Sequence, residues 1–471
     1  MTDQATKNAI IYTSLAAVVA VSGYLTYSYF RDDAEDTPPA DDPVEVPVED
    51  PKDKVKPDEN NGKEAGGNVP TLPEIPDTPE LTPEQEAENL GMQLKFDDPK
   101  ELIEHLAAKL QKVKGEEDLK DIARILGNGK ADPVVMDKLK KLFANEQIKL
   151  KGEDWIEMVG EIKIGRKSRW NLYLENGSVM QVEIEKKNDG NWKFDKVDLP
   201  ELAIDENGNK LTPEQVRERQ LAKDAKDAIN FSHNFLKSLE VQDFEKARKM
   251  VDSTQISDAK IAGLCILFED GNYKLNDKKP LQKIRLKDQI GSFYVNLKAG
   301  STSDDARFSV ITKRAKVDDP WTIKELNLDS LLEDYAKRVA GGDVYYTPLI
   351  KNPDGGDTIV IYFEFDSEGV TERTQNQLKI VARILSLDAK NKVTLSGHTD
   401  AVCSNVYNEK LSKKRAFSVK DYLVKLGVKP DQIRTEAHGF TKPRRPDTAQ
   451  DGTDDPNARR ANRRTEIYLD F

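Results

Sequence analysis

Cysteine and histidine are scarce in this 471-residue chain, which holds two of the former, Cys265 and Cys403, and four of the latter, His105, His233, His398 and His438. Two widely separated thiols exclude a disulfide framework. The histidines share no metal-ligand spacing, and no Ser/His/Asp or Cys/His pattern can be recognised. Neither a metal, a cofactor nor a catalytic centre is therefore expected. An excess of positive charge is also missing. With 72 Lys and Arg against 84 Asp and Glu the net charge is −12. Nucleic acid is excluded as a partner, because a phosphate backbone is held by clustered cations that release its counterions. Long apolar runs are absent with one exception near the start of the chain.

What is present is a polar chain, 37% hydrophobic and 33% charged, whose length suggests about three folded units. After a short tail of residues 1–8, residues 9–30 open at Ala9 and close at Phe30. They read AIIYTSLAAVVAVSGYLTYSYF, 22 positions without a charge, against the ~20 that a membrane-spanning helix needs. A cleaved signal peptide is the competing reading, with Lys7 as its charged end. The anchor is preferred because Tyr24, Tyr27, Tyr29 and Phe30 gather beside Arg31 and Tyr12 lies near the other end, as in interfacial aromatic belts. Lys7 and Arg31 balance, so charge sets no orientation. Residues 31–80 are rich in proline and acids and should form an extended tether, unable to bury a core.

The middle of the chain repeats. Leu81-Thr82-Pro83-Glu84-Gln85 recurs as Leu211-Thr212-Pro213-Glu214-Gln215, an offset of 211 − 81 = 130, and the Trp192 segment recurs in pattern at Trp321, an offset of 321 − 192 = 129. Two α+β repeats are expected, over residues 81–205 and 206–340. Leu102, Leu106, Leu110 and Val113 keep helical spacing, and Leu119, Ile122 and Ile125 mark a second helix. Trp170, Leu172 and Leu174 then alternate into an Asn176-Gly177 turn, followed by Val182 and Ile184. In the second copy Phe235, Leu236 and Leu239 suggest a helix, and strands follow around Gly300. Trp192 and Trp321 are expected to pack in the core rather than face a ligand. The pattern weakly resembles nuclear-transport-factor-like or cystatin-like folds, which implies no activity. Residues 341–356 carry Gly and Pro and should be a linker.

Residues 357–471 read as a βαβαββ domain: an apolar strand from Ile359, a helix through Leu378 and Leu385, a strand ending in Gly397-His398-Thr399-Asp400, a long helix stopped by Gly427, a strand from Ile433, and a last strand through Thr465, Ile467 and Leu469. Three motifs lie along it in order. Gly397-His398-Thr399-Asp400 is followed by Asn408, Leu411-Ser412 and Arg415-Ala416 in the arrangement NxxLSxxRA, and Asn462-Arg463-Arg464 precedes the final strand. Together they resemble the OmpA-like family of peptidoglycan-binding domains, over about 115 of the 471 residues.

The resemblance implies non-covalent recognition of diaminopimelate in the peptidoglycan stem peptide, with Asp400 and Arg415 as the principal contacts and Thr399, Asn408 and Arg464 in support. The chemistry agrees. A ligand with ammonium and carboxylate groups on one small side chain needs a fixed anion and a fixed cation close together, and a guanidinium can hold a carboxylate through two parallel hydrogen bonds. Asp400 and Arg415 could also pair with each other. Cys403 stands where the family usually has glycine, which would strain the loop if a positive φ is needed there. The acidic stretch of residues 447–457 reads as a surface excursion. The expected architecture is α+β and multidomain: a membrane anchor, a disordered linker, two repeats and a wall-binding domain in the periplasm, without enzymatic activity. A flagellar stator subunit is disfavoured because residues 9–30 hold no ionisable group. An outer-membrane barrel is excluded for want of successive amphipathic strands. The alternative is an envelope receptor whose repeats bind a partner or small ligand.

Overall fold

The computed structural model describes residues 95–300, 305–338, 347–351, 357–449 and 451–470. The expected anchor at 9–30, the linker at 31–80 and the first LTPEQ segment lie outside the described residues. Among the described residues no helix is long and apolar enough to cross a membrane.

The first repeat runs α1 (Pro99–Gln111), α2 (Glu116–Leu126), α3 (Pro133–Ala144), β1 (Ile156–Lys163), β2 (Lys167–Tyr173), β3 (Val179–Lys186) and β4 (Trp192–Asp198). A helix α4 (Pro213–Asp224) opens the second, followed by α5 (Ala228–Glu240), α6 (Phe244–Lys249), α7 (Asp258–Asp270), β5 (Tyr273–Leu275), β6 (Leu281–Lys287), β7 (Ile290–Ala299), β8 (Asp305–Lys313), β9 (Thr322–Asn327) and α8 (Asp329–Arg338). The second LTPEQ segment starts α4: Thr212 and Gln215 form a reciprocal capping box and Pro213 takes the first helical position. Helix α3 was not expected, although Val135, Leu139 and Leu142 keep helical spacing; Leu139 and Leu142 are buried, and Val135, Met136 and Phe143 pack against the same core.

The 129-residue offset extends to hydrogen bonds. Asp98 caps α1 and Asp227 caps α5 through their side chains. Trp192 donates its backbone N–H to Phe96 and its indole N–H to the Asp97 carbonyl, at 3.0 and 3.1 Å. Trp321 does the same with Ala225 and Lys226, at 2.9 and 3.1 Å. Each tryptophan thus staples the start of the closing strand to the entrance of a helix, α1 in the first repeat and α5 in the second, and both are buried. Asn176 and Gly177 make the turn between β2 and β3, with Gly177 at φ 85°.

The two meanders join into one sheet, in the order β4-β3-β2-β1-β6-β7-β8-β9 with β5 beside β7. The junction is parallel and short: Glu161 opposite Gln282 is the only β1–β6 register pair among the described residues.

The C-terminal part contains β10 (Leu349–Lys351), β11 (Asp357–Tyr362), α9 (Glu372–Leu387), β12 (Val393–Gly397), α10 (Asn405–Lys425), β13 (Ile433–Ala437), α11 (Pro456–Asn462) and β14 (Arg464–Leu469), with sheet order β10-β11-β14-β12-β13. This differs from βαβαββ in two places. Residues 349–351, expected within a linker, form a strand against β11, because Leu349 and Ile350 are apolar and buried. The acidic stretch contains the start of α11, which Asp455 caps and Pro456 begins.

Two hydrophobic clusters hold the described residues together. One belongs to the first repeat. The other runs without a break from the second repeat into the C-terminal sheet. Helix α7 explains the continuity. Nine of its thirteen residues are buried on all sides, so it has no polar face to give to water. It packs on α5 and α6 within its repeat and on α9 and β11 beyond it. Gly263 permits that approach, since a Cβ there would lie 2.5 Å from Leu349 Cδ1. At its end, the Asp270 carboxylate accepts from Arg373 Nε at 2.8 Å, from Gln377 Nε2 at 3.1 Å and from the Tyr335 hydroxyl.

Candidate functional site

Strand β12 ends at Gly397 because α10 crosses directly over it: a Cβ on Gly397 would sit 2.0 Å from the Ser412 carbonyl oxygen. His398, Thr399 and Asp400 therefore leave the sheet beneath α10. That helix starts at its cap Ser404 and buries Asn408, Leu411, Ser412, Arg415, Ala416, Val419 and Leu423, a stripe at helical spacing that faces the sheet.

Arg415 is wholly buried. Its Nε donates to the Ser367 carbonyl at 2.8 Å, Nη1 to the His398 carbonyl at 3.0 Å and Nη2 to the Glu364 carbonyl at 3.2 Å. The Phe363 ring lies 5.2 Å from the guanidinium carbon. A guanidinium has five N–H groups. These three bonds leave one on Nη1 and one on Nη2, the pair that would meet both oxygens of a carboxylate. Burial pushes the Arg415 pKa down to about 10, opposed by the charge of Asp400 and helped by that of Arg463. Arg415 remains a cation at neutral pH.

Asp400 is buried and accepts from Arg463 Nη1 at 3.0 Å. The two conserve charge neutrality at the mouth of the loop, and the ion pair weighed between Asp400 and Arg415 is replaced by one with Arg463. The Arg463 guanidinium also lies over exposed Phe365, at 5.9 Å.

Thr399 and Asn408 stand in the same loop-and-helix corner. The Thr399 N–H donates to Gly439 at 2.9 Å, and its buried hydroxyl has no partner. Asn408 is buried and spends its amide N–H on the Cys403 carbonyl at 2.9 Å, fixing the loop. Arg464 is elsewhere: it pairs with Glu466 at 2.7 Å and donates to the carbonyls of Asn462 and Lys442. Neighbouring residues of a strand point to opposite faces. Arg463 shares its side of β14 with Thr465 and Ile467, beneath α10, while Arg464 shares the other with Glu466. Counting back from the alternation at Thr465 and Ile467 would have selected Arg463.

Two further expectations change. Cys403 is exposed, and its φ is not among the positive values, so no left-handed strain arises. Residues 447–457 are more than a surface excursion, because the Asp447 carboxylate accepts from the Ala401 N–H at 2.5 Å and from Asn462 Nδ2 at 2.6 Å. Asp447 thereby braces the loop that carries Asp400. Among the described residues no group of three or more His, Cys, Asp or Glu could hold a metal ion.

Comparison with known proteins follows these motifs. The model of the OmpA family matches residues 362–459. Photosystem I P700 chlorophyll a apoprotein A2 of Gloeobacter violaceus is 34% identical over 139 residues, 30% of this chain and 15% of that protein. The peptidoglycan-associated lipoprotein of Buchnera aphidicola subsp. Baizongia pistaciae is 40% identical over 83 residues, 18% of this chain and 48% of that one. The chain thus spans no more than about half the length of these curated relatives. The crystal structure of the peptidoglycan-associated lipoprotein from Burkholderia pseudomallei matches 23% of this chain and 88% of its own, at 30% identity and a TM-score of 0.22. With the three motifs in place on one strand end, one helix and one strand start, residues 362–459 are a domain of the OmpA family.

Proposed function

We propose that the C-terminal domain binds peptidoglycan non-covalently by gripping diaminopimelate of the stem peptide, and that the chain tethers an envelope membrane to the wall without enzymatic activity. The observation that carries this reading is the pair of uncommitted N–H groups on Arg415 Nη1 and Nη2 next to the Asp400 carboxylate. The ligand carboxylate bonds both guanidinium nitrogens, and the ligand ammonium takes the place of Arg463 on Asp400. Charge-assisted bonds of this kind contribute about 1.5–3 kcal/mol each. Arg463 then swings toward solvent over Phe365. Thr399 lends its hydroxyl, and Asn408 holds the loop. Arg464, paired with Glu466, supports the strand rather than the ligand. Retention comes from many weak sites along a continuous polymer.

In this reading residues 9–30 anchor the chain in the inner membrane, residues 31–80 form the tether, and the repeats and wall-binding domain lie in the periplasm. Cleavage of the segment as a signal peptide would instead release the chain to the periplasm or outer membrane.

The test is co-sedimentation of the full chain with purified sacculi containing either diaminopimelate or lysine. Lysine lacks the second carboxylate, so wild-type binding should fall at least tenfold on lysine-type sacculi, a loss of about 1.4 kcal/mol or more. Asp400→Asn and Arg415→Lys should abolish the preference while circular dichroism stays unchanged. Equal binding to both wall types by the wild type would refute diaminopimelate recognition.

A further inference from the structure

Strand β1 has an open half in the interior of the nine-stranded sheet. It pairs with β2 from Ile156 to Lys163, but meets β6 only where Glu161 faces Gln282. Gly160 marks the start of contact, since a Cβ there would lie 2.9 Å from Leu281 Cβ. Before that point the preceding chain of β6 turns away toward β7. Asn276 N–H donates to Asn296 and Asn296 N–H to Pro280, both at 3.0 Å, and the Asn276 side chain accepts from the N–H groups of Lys278 and Lys279. Residues 156–159 are thus left without a strand on that side among the described residues.

The register tells which backbone groups face the gap. Tyr173 N–H donates to the Trp155 carbonyl at 2.7 Å, so the Trp155 position belongs to the bonded pairs of the β1–β2 ladder. Alternation then turns the N–H and C=O of Ile156 and Met158 away from β2. Against this edge lies a cavity of about 930 Å³, whose apolar lining includes Ile156, Met158, Trp170, Trp192, Leu275 and Pro280.

We propose that this open edge docks an extended, uncharged peptide segment of a partner protein as an added strand. Four residues at about 3.3 Å each fit the open length of roughly 13 Å, and main-chain hydrogen bonds supply affinity while alternate side chains enter the cavity. The ionic groups of the inner wall are already matched. Glu157 accepts from the Tyr173 hydroxyl at 2.5 Å and from Lys237 at 3.2 Å, Lys237 also bonds Glu240, and Glu161 accepts from Gly165 N–H and Gln282. Further charges, on Lys151, Asp154 and Lys278, stand exposed at the rim in both signs, so the depth of the cleft offers a ligand no free counter-charge. At the back of the cleft His233 lines the cavity at 3% exposure, and among the described residues its Nε2 has no hydrogen-bond partner, with Glu157 Oε1 3.8 Å away. Burial lowers the His233 pKa against the pull of Glu157, Glu240 and Asp224. The neutral imidazole can bond a peptide amide or carbonyl at the back of the cleft. This inference is independent of wall binding, since it uses none of the same residues.

The experiment selects binders to the full chain from a random octapeptide phage library, then titrates the synthetic peptides by fluorescence polarisation. Enriched sequences should alternate apolar residues and carry no net charge. Hydrogen exchange at the Ile156 and Met158 amides should slow at least about tenfold on saturation. N-methylation of alternate peptide amides should weaken binding about tenfold, consistent with a lost backbone hydrogen bond, and methylation between them should not. His233→Phe should weaken the same peptides. Failure to enrich any binder overturns the proposal, and so does a binder that leaves both amides exchanging at the free rate or tolerates methylation everywhere.

Discussion

His398 is the residue where burial has the clearest consequence for pH. Its ring is 2% exposed, stacks on His438 with centroids 5.1 Å apart, and among the described residues has no hydrogen-bond partner on either nitrogen. Burial, with the nearby charges of Arg464, His438 and Lys442, pushes its pKa from 6.5 down to about 2. The unfolded chain therefore binds a proton at this site as pH falls below 6.5 while the folded chain does not. Stability contributed above that pH is lost progressively on acidification, at up to about 1.4 kcal/mol per pH unit for one such group. Urea denaturation between pH 7 and 4 should show this slope, and His398→Gln should flatten it. An unchanged slope in the variant would assign the acid sensitivity elsewhere, with buried His233 the next group to examine. At this scale the sequence was informative about chemistry but less so about direction. That Asp400 and Arg415 come together beneath α10 was legible from residue type and motif. Arg463 and Arg464 look alike in a string of letters, and only the side of β14 on which each falls separates them.

Helix α10 and strand β12 form the element pair on which the site depends. Gly397 lets them touch, so Gly397→Ala must lift α10 or bend β12 to clear the Ser412 carbonyl. Overpacking of this kind costs about 1–3 kcal/mol. Calorimetry should register that loss, and sacculus binding should fall with it, because Arg415 rides on the displaced helix. Full wall binding at wild-type stability would show that the backbone relaxes freely there. Helices with a one-sided apolar stripe, α1 and α5 among them, were legible from periodicity, as were the strands flanking Asn176-Gly177. Helix α3 was passed over, although Val135, Leu139 and Leu142 keep the same spacing and only its lysines and Asp137 interrupt it. Strand β10 was hidden by the prolines and glycines around it, and its three residues are too few to show alternation. The brace from Asp447 to Ala401 was invisible because a carboxylate accepting from a backbone N–H 46 residues away leaves no local pattern.

For the whole molecule, the sequence suggests three units and the hydrophobic contacts make two. The second repeat and the C-terminal domain share one core through α7, and Asp270 ties α7 to Arg373 and Gln377 across the same boundary. They should unfold together. Fluorescence of Trp321 and a probe attached to Cys403 should report the same denaturant midpoint, and Asp270→Ala should lower both in step, by about 1–3 kcal/mol, because it removes the carboxylate that Arg373 and Gln377 share across the boundary. Separate midpoints would place a boundary where the described contacts have none. A fragment cut at the OmpA-family boundary would bare the side of β11 and α9 that α7 covers, which makes it a poor stand-in for the intact chain. The first repeat is differently attached, through one parallel register pair and a largely polar seam in which Arg169 bonds Asp227 and Asn230, Gln181 bonds Asn230, Lys237 bonds Glu157 and Gln282 bonds Glu161. Pulled from its two ends, the molecule would carry load first across that polar seam and then through the apolar core that the second repeat shares with the C-terminal sheet.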